Sequence, residues 1–210
     1  MKFLEKKKIL LIISGGIAAY KSLDLIRSLI KIQCEVKTIL TKGGAEFVTP
    51  LSIASLSKNK VYSDMYSVEN ESEMDHISLS RWADLILIAP ATSNIIAKMS
   101  QGISDDLATT VVQASNKSIF VCPAMNVRMW EHASNKQNLE KIKSYNYRII
   151  GPFNGEMACG EYGDGRMADI EYILKELDNF FKSKSSNKKY KAIVTAGPTQ
   201  EYICLLYTSD

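Results

Sequence analysis

Five short apolar runs, spread along most of the chain, constrain its fold more than any other feature. They are KILLIIS (Lys8–Ser14), CEVKTILT (Cys34–Thr41), DLILIAP (Asp84–Pro90), SIFVCP (Ser118–Pro123) and YRIIGP (Tyr147–Pro152). Three of the five are apolar nearly throughout, which is typical of strands in a parallel sheet that is covered on both faces. Each run is therefore predicted to be a strand.

Helical patterns separate these strands. Between the first two, Ile17–Ile32 places its apolar residues near one stripe, as the core-facing side of a helix requires. Four more segments follow the same logic: Ser93–Ser100, Asp105–Ser115, Ser134–Ser144 and Asp169–Phe181. The alternation of strand and helix predicts an α/β fold, in which an open, doubly wound parallel sheet carries helices on both faces. Ligands of such sheets bind beyond the carboxyl ends of the strands.

Composition and charge exclude several classes of protein. The 210 residues carry a net charge of only +3, which is too small to indicate nucleic acid as the main partner. No segment approaches the roughly 20 apolar residues that a membrane span needs, and the apolar run after MKFLEKKK is better interpreted as a buried strand than as a signal peptide. The four cysteines are scattered, without a C-x-x-C pair or a histidine cluster at metal-binding spacing. We therefore expect a soluble cytoplasmic protein with no disulfide framework and no metal.

Two glycines follow the first strand, in SGGIAAYKS (Ser14–Ser22). At a turn from strand to helix, glycines let backbone amides face an anion at the helix N-terminus. The segment does not match G-x-G-x-x-G, because it lacks a third glycine, and it does not match the Walker pattern, because Tyr20 stands where that pattern has glycine. The residues alone leave it as either a phosphate site or a tight turn.

Short polar side chains follow the later strands. Thr92, Ser93 and Asn94 stand at a predicted helix start, where they cap the helix, contact a ligand or do both, since the two roles can coexist at one terminus. In SDDLATT (Ser104–Thr110), capping is the preferred interpretation. Asn126, in PAMNVRMW, also stands where a helix should begin, and both roles stay open for it.

Of the two histidines, His76 is the candidate for acid–base chemistry. It lies beside Asp75 and just ahead of a predicted strand, and a histidine side chain exchanges protons near physiological pH. A solvated surface histidine is the simpler interpretation for it, as it is for His132 at a polar helix end.

The segment GPFNGEMACGEYGDGRM (Gly151–Met167) places five glycines around one thiol, Cys159, and has neither helical nor strand periodicity. It is expected to form a loop that is costly to order, because glycine loses more backbone freedom on folding than any other residue. The residues alone do not decide what a lone thiol does there.

The end of the chain changes in composition. KSKSSNKKYK is polar, basic and serine-rich, which predicts a solvated linker. KAIVTAGPTQEYI then begins a new strand pattern, but so few residues cannot bury a core of their own. The predicted organisation is one domain over residues 1–181, a linker over 182–190 and the opening of a second domain over 191–210.

Five segments occur along this chain in one order: SGGIAAYK, DHISLSRWADLILIAPATSNIIAK, GISDDLATT, PAMNVRMW and ACGEYGDGRM. In that order they resemble the homo-oligomeric flavin-containing cysteine decarboxylases, and most of all the branch of the family that acts on 4'-phosphopantothenoylcysteine in coenzyme A biosynthesis. The resemblance extends over essentially residues 8–181. KAIVTAGPTQEYI further resembles the start of a phosphopantothenate–cysteine ligase. The closing CLLYTSD departs from that ligase pattern, so we interpret the end as truncated and expect no ligase activity.

The resemblance implies a flavodoxin-like fold that binds FMN and assembles as a trimer or a dodecamer. It implies that FMN contacts Gly15, Gly16, Ile17, Thr41, Lys42, Thr92, Ser93, Asn94 and Ala124. It implies that the substrate contacts Asn126, Met129, Ala158 and Arg166. The catalytic residues of the family fall on His76, Asn126 and Cys159. For Arg166, contact with the substrate phosphate, capping of a closed loop and a surface salt bridge with Asp164 or Asp169 all stay open.

The implied reaction is a decarboxylation without net oxidation. Oxidation of the CH2–SH carbon to a thioaldehyde creates the electron sink into which CO2 can leave, and this electron transfer belongs to the cofactor. His76 would take a proton, Asn126 would hold the carboxylate or amide of the substrate, and Cys159 would deliver a proton when the ene-thiol is reduced to 4'-phosphopantetheine. The glycine-rich loop would then be a lid with glycine hinges, which closes to exclude water.

Three related functions are the alternatives. A relative that oxidatively decarboxylates peptidyl cysteine stops at the ene-thiol and needs no reducing thiol, so ACG followed by GRM argues against it. A relative that attaches a prenyl group to flavin does not suit the pairing of His76 with PAMN. A flavin-binding regulatory protein is the alternative that is not an enzyme, and the acidic tail usual in such proteins is not found in this sequence.

Overall fold

The computed structural model describes residues 1–63 and 75–186. Its strands are β1 (Lys8–Ile13), β2 (Glu35–Leu40), β3 (Val61–Tyr62), β4 (Leu85–Ala91), β5 (Ser118–Pro123), β6 (Arg148–Ile149), β7 (Phe153–Glu156) and β8 (Tyr162–Arg166). Its helices are α1 (Ala19–Lys31), α2 (Lys42–Ala45), α3 (Pro50–Ser57), α4 (Asp75–Trp82), α5 (Ser93–Gln101), α6 (Leu107–Gln113), α7 (Val127–Glu131), α8 (Ala133–Ser144) and α9 (Ile170–Ser186). No helix within the described ranges is both long and apolar enough to cross a membrane.

Six strands form one parallel sheet in the order β3-β2-β1-β4-β5-β6. When the two-residue edge strand β3 is set aside, the other five follow the flavodoxin-like order 2-1-3-4-5. The order reverses between β1 and β4, which are neighbours in the sheet although two other strands lie between them in the chain. The predicted fold class, a flavodoxin-like open parallel sheet with helices around it, is therefore confirmed.

Side chains alternate between the two faces of the sheet, and both faces are buried. On β1, Ile9, Leu11 and Ile13 pack in a core with α1, α3 and α9. Leu10 and Ile12 point to the opposite face and pack with α4, α5, α6 and α8. This is why the strand sequences are apolar throughout rather than alternating: each strand must fill a core on either side.

All five predicted strands are present, and the last is shorter than its apolar run because only Arg148–Ile149 pair with β5. The elements that the prediction missed are short. Helix α3 begins at a Thr49 cap with Pro50 in its first turn. Helix α4 is hidden because Ile77 and Leu79 alternate with serines, a pattern with the period of a strand.

The prediction that Gly151–Met167 lacks strand structure is wrong. Strands β7 and β8 form an antiparallel hairpin, and the Met157 amide donates to the Glu161 carbonyl at 2.9 Å to close its tip. A strand is predicted from alternating apolar and polar side chains. In β8 two alternate positions are glycine and have no side chain, so the sequence does not show this alternation.

Helix α9 runs to Ser186, past the predicted end at Phe181 and into the segment predicted as a linker. Residues 187–210 lie outside the described residues. They include the rest of the predicted linker, Cys204 and the predicted opening of a second domain. The domain boundaries stay predictions.

Two buried threonines allow a test of the packing. The hydroxyl of Thr38 on β2 has no hydrogen-bond partner within the described ranges, whereas the Thr109 hydroxyl on α6 donates to Asp106 Oδ1 at 2.8 Å. Thr38→Val should raise the free energy of unfolding by about 1 kcal/mol, because it removes an unsatisfied polar group and keeps the shape of the side chain. Thr109→Val is the matched control and should lower it by a similar amount. Urea denaturation of both variants measures the difference, and a destabilised Thr38→Val would contradict the expectation.

Candidate active site

A cavity of about 840 Å³ opens at the carboxyl edge of the sheet, where the strand order reverses. Its walls come from the segments that follow β1, β2 and β4, together with the start of α6 and one residue of α7. The lining includes Ser14, Gly15, Gly16, Thr41, Lys42, Gly43, Thr92, Asn94, Lys98 and Met129. Several of the predicted cofactor residues, which are far apart in the chain, therefore meet in one cavity.

Ser14 joins the ends of β1 and β4 at this cavity. It is 3% exposed, and its hydroxyl donates to the Pro90 carbonyl at 2.7 Å while accepting from the Thr92 amide at 3.1 Å. The Ser14 amide donates to the same carbonyl at 3.3 Å. These bonds fix the two turns relative to each other where β1 and β4 end.

The turn after β1 and the turn after β2 pack backbone against backbone. A Cβ atom on Gly15 would lie 3.2 Å from the carbonyl carbon and oxygen of Gly43, and a Cβ atom on Gly44 would lie 2.7 Å from the Ile13 carbonyl oxygen. A side chain at Gly44 would collide with the backbone, and one at Gly15 would push the two turns apart. We call Gly15, Gly43 and Gly44 the glycine cradle. Its backbone amides can face a ligand that approaches the cavity.

Helix caps lie at the cavity and at the start of α7, and they show the capping part of the alternatives that the sequence left open. Thr41 accepts from the Gly44 amide at 3.1 Å, and Thr92 accepts from the Ile95 amide at 3.4 Å, so both cap helices while also lining the cavity. Asp106 caps α6, as predicted for SDDLATT. Asn126 caps α7 by accepting from the Met129 amide at 2.9 Å. The cap uses the side-chain oxygen of Asn126, so its NH2 group can still donate hydrogen bonds to a ligand.

A lysine and two aspartates line the cavity beside α5 and α6. Lys98 donates to Asp105 at 2.7 Å and to Asp106 at 3.0 Å, and the hydrogen bond to Asp105 is the main reason why the pKa of Lys98 is raised. Burial alone would raise the pKa of Asp106, but the Thr109 amide and Lys98 outweigh it and lower that pKa. Lys98 and Asp106 are therefore both charged at neutral pH.

Sequence reasoning missed Ser14 and Lys98 as lining residues. The signal for Ser14 was its place between a buried strand and two glycines. Two signals pointed to Lys98. It lies on the helix that Thr92 caps, less than two turns after that cap, and two consecutive aspartates, Asp105 and Asp106, follow this helix in the chain.

A second group of predicted residues lies where the hairpin packs against the start of α7. The Met125 amide donates to the Gly165 carbonyl at 3.0 Å, and a Cβ atom on Gly165, whose φ is +145°, would collide with the Met125 carbonyl oxygen. A Cβ atom on Gly163 would lie 2.9 Å from Cγ2 of Val127. The hairpin is therefore docked on both residues that flank Asn126, and β8 needs glycine for this contact.

Cys159 lies at the exposed tip of the hairpin, with its Sγ atom 3.9 Å from Glu161 Oε2. The other two cysteines of the described ranges are buried: burial raises the pKa of Cys34 to about 11 and raises that of Cys122 further. Cys159 is thus the accessible thiol among the described residues.

Not every predicted site residue is found at the cavity. Ile17 is 56% exposed, and neither it nor Ser93 lines the cavity in the described residues. Ala124, Asn126, Ala158 and Cys159 are also outside its lining and belong to the α7 and hairpin region. Met129 on α7 connects the two regions, because it lines the cavity.

His76 lies in the first turn of α4, half-buried and outside the cavity lining. Helix α4 packs against α6, whose first residues, Leu107 and Ala108, line the cavity. The side chain of Asp75 lies outside the described residues.

Arg166 forms the salt bridge that was one of its predicted alternatives. Its guanidinium donates to Asp169 Oδ1 at 2.9 Å and to Oδ2 at 3.2 Å. The other predicted partner, Asp164, instead accepts from the Asn154 side chain at 3.0 Å.

Sheet order and cavity together define a class of protein. A doubly wound α/β domain with a glycine cradle and capped helix starts at its switch point belongs to the proteins that hold a phosphate-bearing cofactor at that place. The sequence model of the Flavoprotein family matches residues 2–182. This chain belongs to the Flavoprotein family.

Relatives and solved structures agree with this assignment. The chain is 42% identical over 200 residues to the coenzyme A biosynthesis bifunctional protein CoaBC of Haemophilus influenzae, covering 95% of this chain and 50% of that protein. It is 39% identical over 202 residues to the Bacillus subtilis protein of the same name, again covering 95% and 50%. The chain thus spans about half the length of the curated relatives it matches.

Two solved structures share the fold. A cysteine-to-serine mutant of PPC decarboxylase complexed with pantothenoylaminoethenethiol superimposes with a TM-score of 0.75 at 29% identity, covering 85% of this chain and all of that one. The FMN binding protein AtHal3 superimposes with a TM-score of 0.73 at 32% identity, covering 85% and 98%.

The docking of the hairpin can be tested with two glycine variants. Gly165→Ala should detach β8 from Met125, because its Cβ atom has no room, and it should cost about 2 kcal/mol or more. The control is Gly160→Ala at the tip, where a Cβ atom meets nothing within 4 Å and only the positive φ is penalised, by roughly 1 kcal/mol. Hydrogen exchange at the Met125 amide should accelerate in Gly165→Ala alone. Equal exchange in the two variants would show that the hairpin does not depend on this contact.

Proposed function

We propose that this chain binds FMN and decarboxylates 4'-phosphopantothenoylcysteine to 4'-phosphopantetheine without net oxidation, in coenzyme A biosynthesis. The observation that carries the proposal is one arrangement: a cofactor cavity at the switch point, connected through α7 to a docked hairpin with an exposed thiol at its tip. The named relatives and the PPC decarboxylase structure support the choice of substrate.

The residues present fit FMN. Gly15 and Gly43 line the cavity with backbone and no side chain, and their amides suit a phosphate together with the start of the nine-residue helix α5. Lys42 supplies a positive charge at the lining, whereas Lys98 is already neutralised by two aspartates. Gly15, Gly16, Thr41, Lys42, Thr92 and Asn94 would hold the phosphate and ribityl chain, with Ile17, Ser93 and Ala124 adjoining them.

Once bound, FMN would supply the acceptance and return of a hydride, which no side chain can provide. The chain's own residues would manage protons and orientation. His76 would take the thiol proton of the substrate, and Asn126 would hold the carboxylate or amide with the donor that its cap leaves over. Met129, Ala158 and Arg166 would contact the rest of the substrate.

Cys159 would act after CO2 has left. Its thiol would give a proton to the carbon that carried the carboxylate, and the thiolate would regain a proton from water. The PPC decarboxylase structure supports this order, since a cysteine mutant holds an aminoethenethiol in it. The tip that carries Cys159, rather than the whole glycine-rich segment, would be the part that opens for the substrate, because the strands are docked.

We also propose that the chain assembles as a homo-oligomer, a trimer or a dodecamer, in the cytoplasm. Large apolar side chains are exposed in the segments around the cavity: Ile17, Tyr20, Phe47, Leu51 and Met129, of which Leu51 is 76% exposed. Apolar patches of this kind support an interface near the site. The free described cysteines agree with a reducing compartment.

Purified protein should be yellow, with the absorbance bands of a flavin, and should convert 4'-phosphopantothenoylcysteine to a product that has lost CO2 and no hydrogen. Mass spectrometry of the product tests this, and light scattering on the same sample gives the oligomer mass. A colourless protein would overturn the flavin assignment, and a yellow protein that leaves the substrate intact would favour a flavin-binding regulatory protein.

Cys159→Ser should release CO2 at close to the normal rate and accumulate the ene-thiol, because only the later proton transfer is removed. Tyr162→Phe, three residues along the same hairpin and 75% exposed, is the control and should give the normal product. The measurement is the ratio of the two products by mass spectrometry. Full conversion to 4'-phosphopantetheine by Cys159→Ser would rule out the role given to this thiol.

A further inference from the structure

The hairpin that carries Cys159 is held at its base by contacts on two sides. On one side β8 packs against the segment around Asn126, as described above. On the other side its last residue, Arg166, contacts Asp169, which directly precedes α9. The tip beyond Met157 and Glu161 has neither contact, so the orientation of the thiol depends on how the base is held.

The contact with α9 is a forked ion pair. Both oxygens of Asp169 accept from Arg166, in the geometry that makes guanidinium–carboxylate pairs directional. The Arg166 side chain lies across the neighbouring strand, so close that a Cβ atom on Gly155 would be 3.0 Å from its Nε atom. That Nε atom is buried and has no hydrogen-bond partner among the residues the structure describes. The guanidinium therefore depends on Asp169 for its hydrogen bonds within these residues.

A second cation, Lys21, lies near Arg166, so the Asp169 carboxylate has two positive charges to offset. Lys21 on α1 is half-buried, and burial followed by the charge of Arg166 lowers its pKa, while Asp169 acts in the opposite direction. Lys21 and Arg166 thus repel each other, and Asp169 is the group that offsets this repulsion.

An aromatic contact holds the other strand to the same helix. The rings of Phe153 on β7 and Tyr172 on α9 meet edge to face, with centroids 5.0 Å apart. Arg166 lies over Phe153 at 6.0 Å from its centroid. Both strands of the hairpin are therefore tied to the first turn of α9.

We propose that Asp169 is a positioning residue: by binding Arg166, it orients the hairpin so that Cys159 reaches the substrate in the second half of the reaction. This inference rests on the proposed function. It gives Arg166 a role at the base of the hairpin in addition to any contact with the substrate phosphate. Asp169 itself touches neither the thiol nor the cavity lining.

Asp169→Asn should release CO2 at about the wild-type rate, while the ratio of ene-thiol to 4'-phosphopantetheine rises about tenfold to 100-fold, the range expected when a reacting group is misplaced. The control is Asp164→Asn, which removes a carboxylate charge from the hairpin itself but only affects the bond from Asn154. It should give the wild-type ratio. Asp169→Glu keeps the carboxylate and should restore most of the normal product.

Two further measurements keep the test decisive. If Asp169→Asn does not fold, Tyr172→Leu removes the aromatic contact instead and should raise the ene-thiol ratio in the same direction by a smaller factor. Hydrogen exchange at the Met157 amide, which closes the tip, should accelerate in Asp169→Asn and not in Asp164→Asn.

The outcomes separate this inference from the proposed function. An unchanged product ratio in Asp169→Asn, or an unchanged ratio in Tyr172→Leu where the first variant fails to fold, would overturn the positioning role while the decarboxylase stands. No CO2 release from the wild-type chain would overturn the proposed function and with it the catalytic part of the inference. Faster exchange in Asp169→Asn would then still support the anchoring of the hairpin.

Discussion

The reversal of strand order between β1 and β4 is the constraint on which the rest of this structure depends. Because both faces of the sheet must be covered, the chain leaves β1 toward one face and β4 toward the other, and the two turns diverge at their shared edge. Backbone groups at that edge cannot pair within the sheet. Ser14 satisfies some of them and holds the turns at a fixed separation. The cavity is therefore a consequence of the topology, and the sequence only has to line it.

The lining follows from the same constraint. The turns at Gly15 and Gly43 lie so close that a Cβ atom on Gly15 would be 3.2 Å from the Gly43 backbone, so the residue that permits the packing also exposes its amide. Acidic side chains slightly outnumber basic ones among the described lining residues, with Asp105, Asp106 and Glu46 against Lys42 and Lys98, and Lys98 is paired with both aspartates. An anionic ligand would therefore be held mainly by amides and hydroxyls, with Lys42 as the unpaired cation among the described lining residues. Backbone donors fixed in this way need no reorganisation when the ligand binds.

The sequence was informative where burial is complete and uninformative where contacts are made without side chains. Strands β1, β4 and β5 could be predicted because nearly every residue fills a core. Their order in the chain was enough to predict the edge at which Thr92 and Gly15 meet. The hairpin could not be predicted, because Gly163 and Gly165 permit close approach to Val127 and Met125. Glycine has no side chain, so it adds nothing to the alternation of apolar and polar residues by which a strand is recognised. Thr92 shows a third case: the sequence allowed one side chain to cap a helix and also contact a ligand, and Thr92 both caps α5 and lines the cavity.

The docked hairpin also changes how a lid could work here. A two-stranded hairpin is only marginally stable by itself, so its order depends on the few contacts at Met125, Val127 and Asp169. Such contacts are individually worth about 1 to 3 kcal/mol, which is the range of local opening rather than of global unfolding. Gly163 and Gly165 permit β8 to dock on Met125 and Val127, which fixes the strands of the hairpin. The tip lies beyond these contacts, so they do not prevent it from opening. A hinge at each glycine is unnecessary, because a rigid base with a free tip already gives the thiol both a defined position and access.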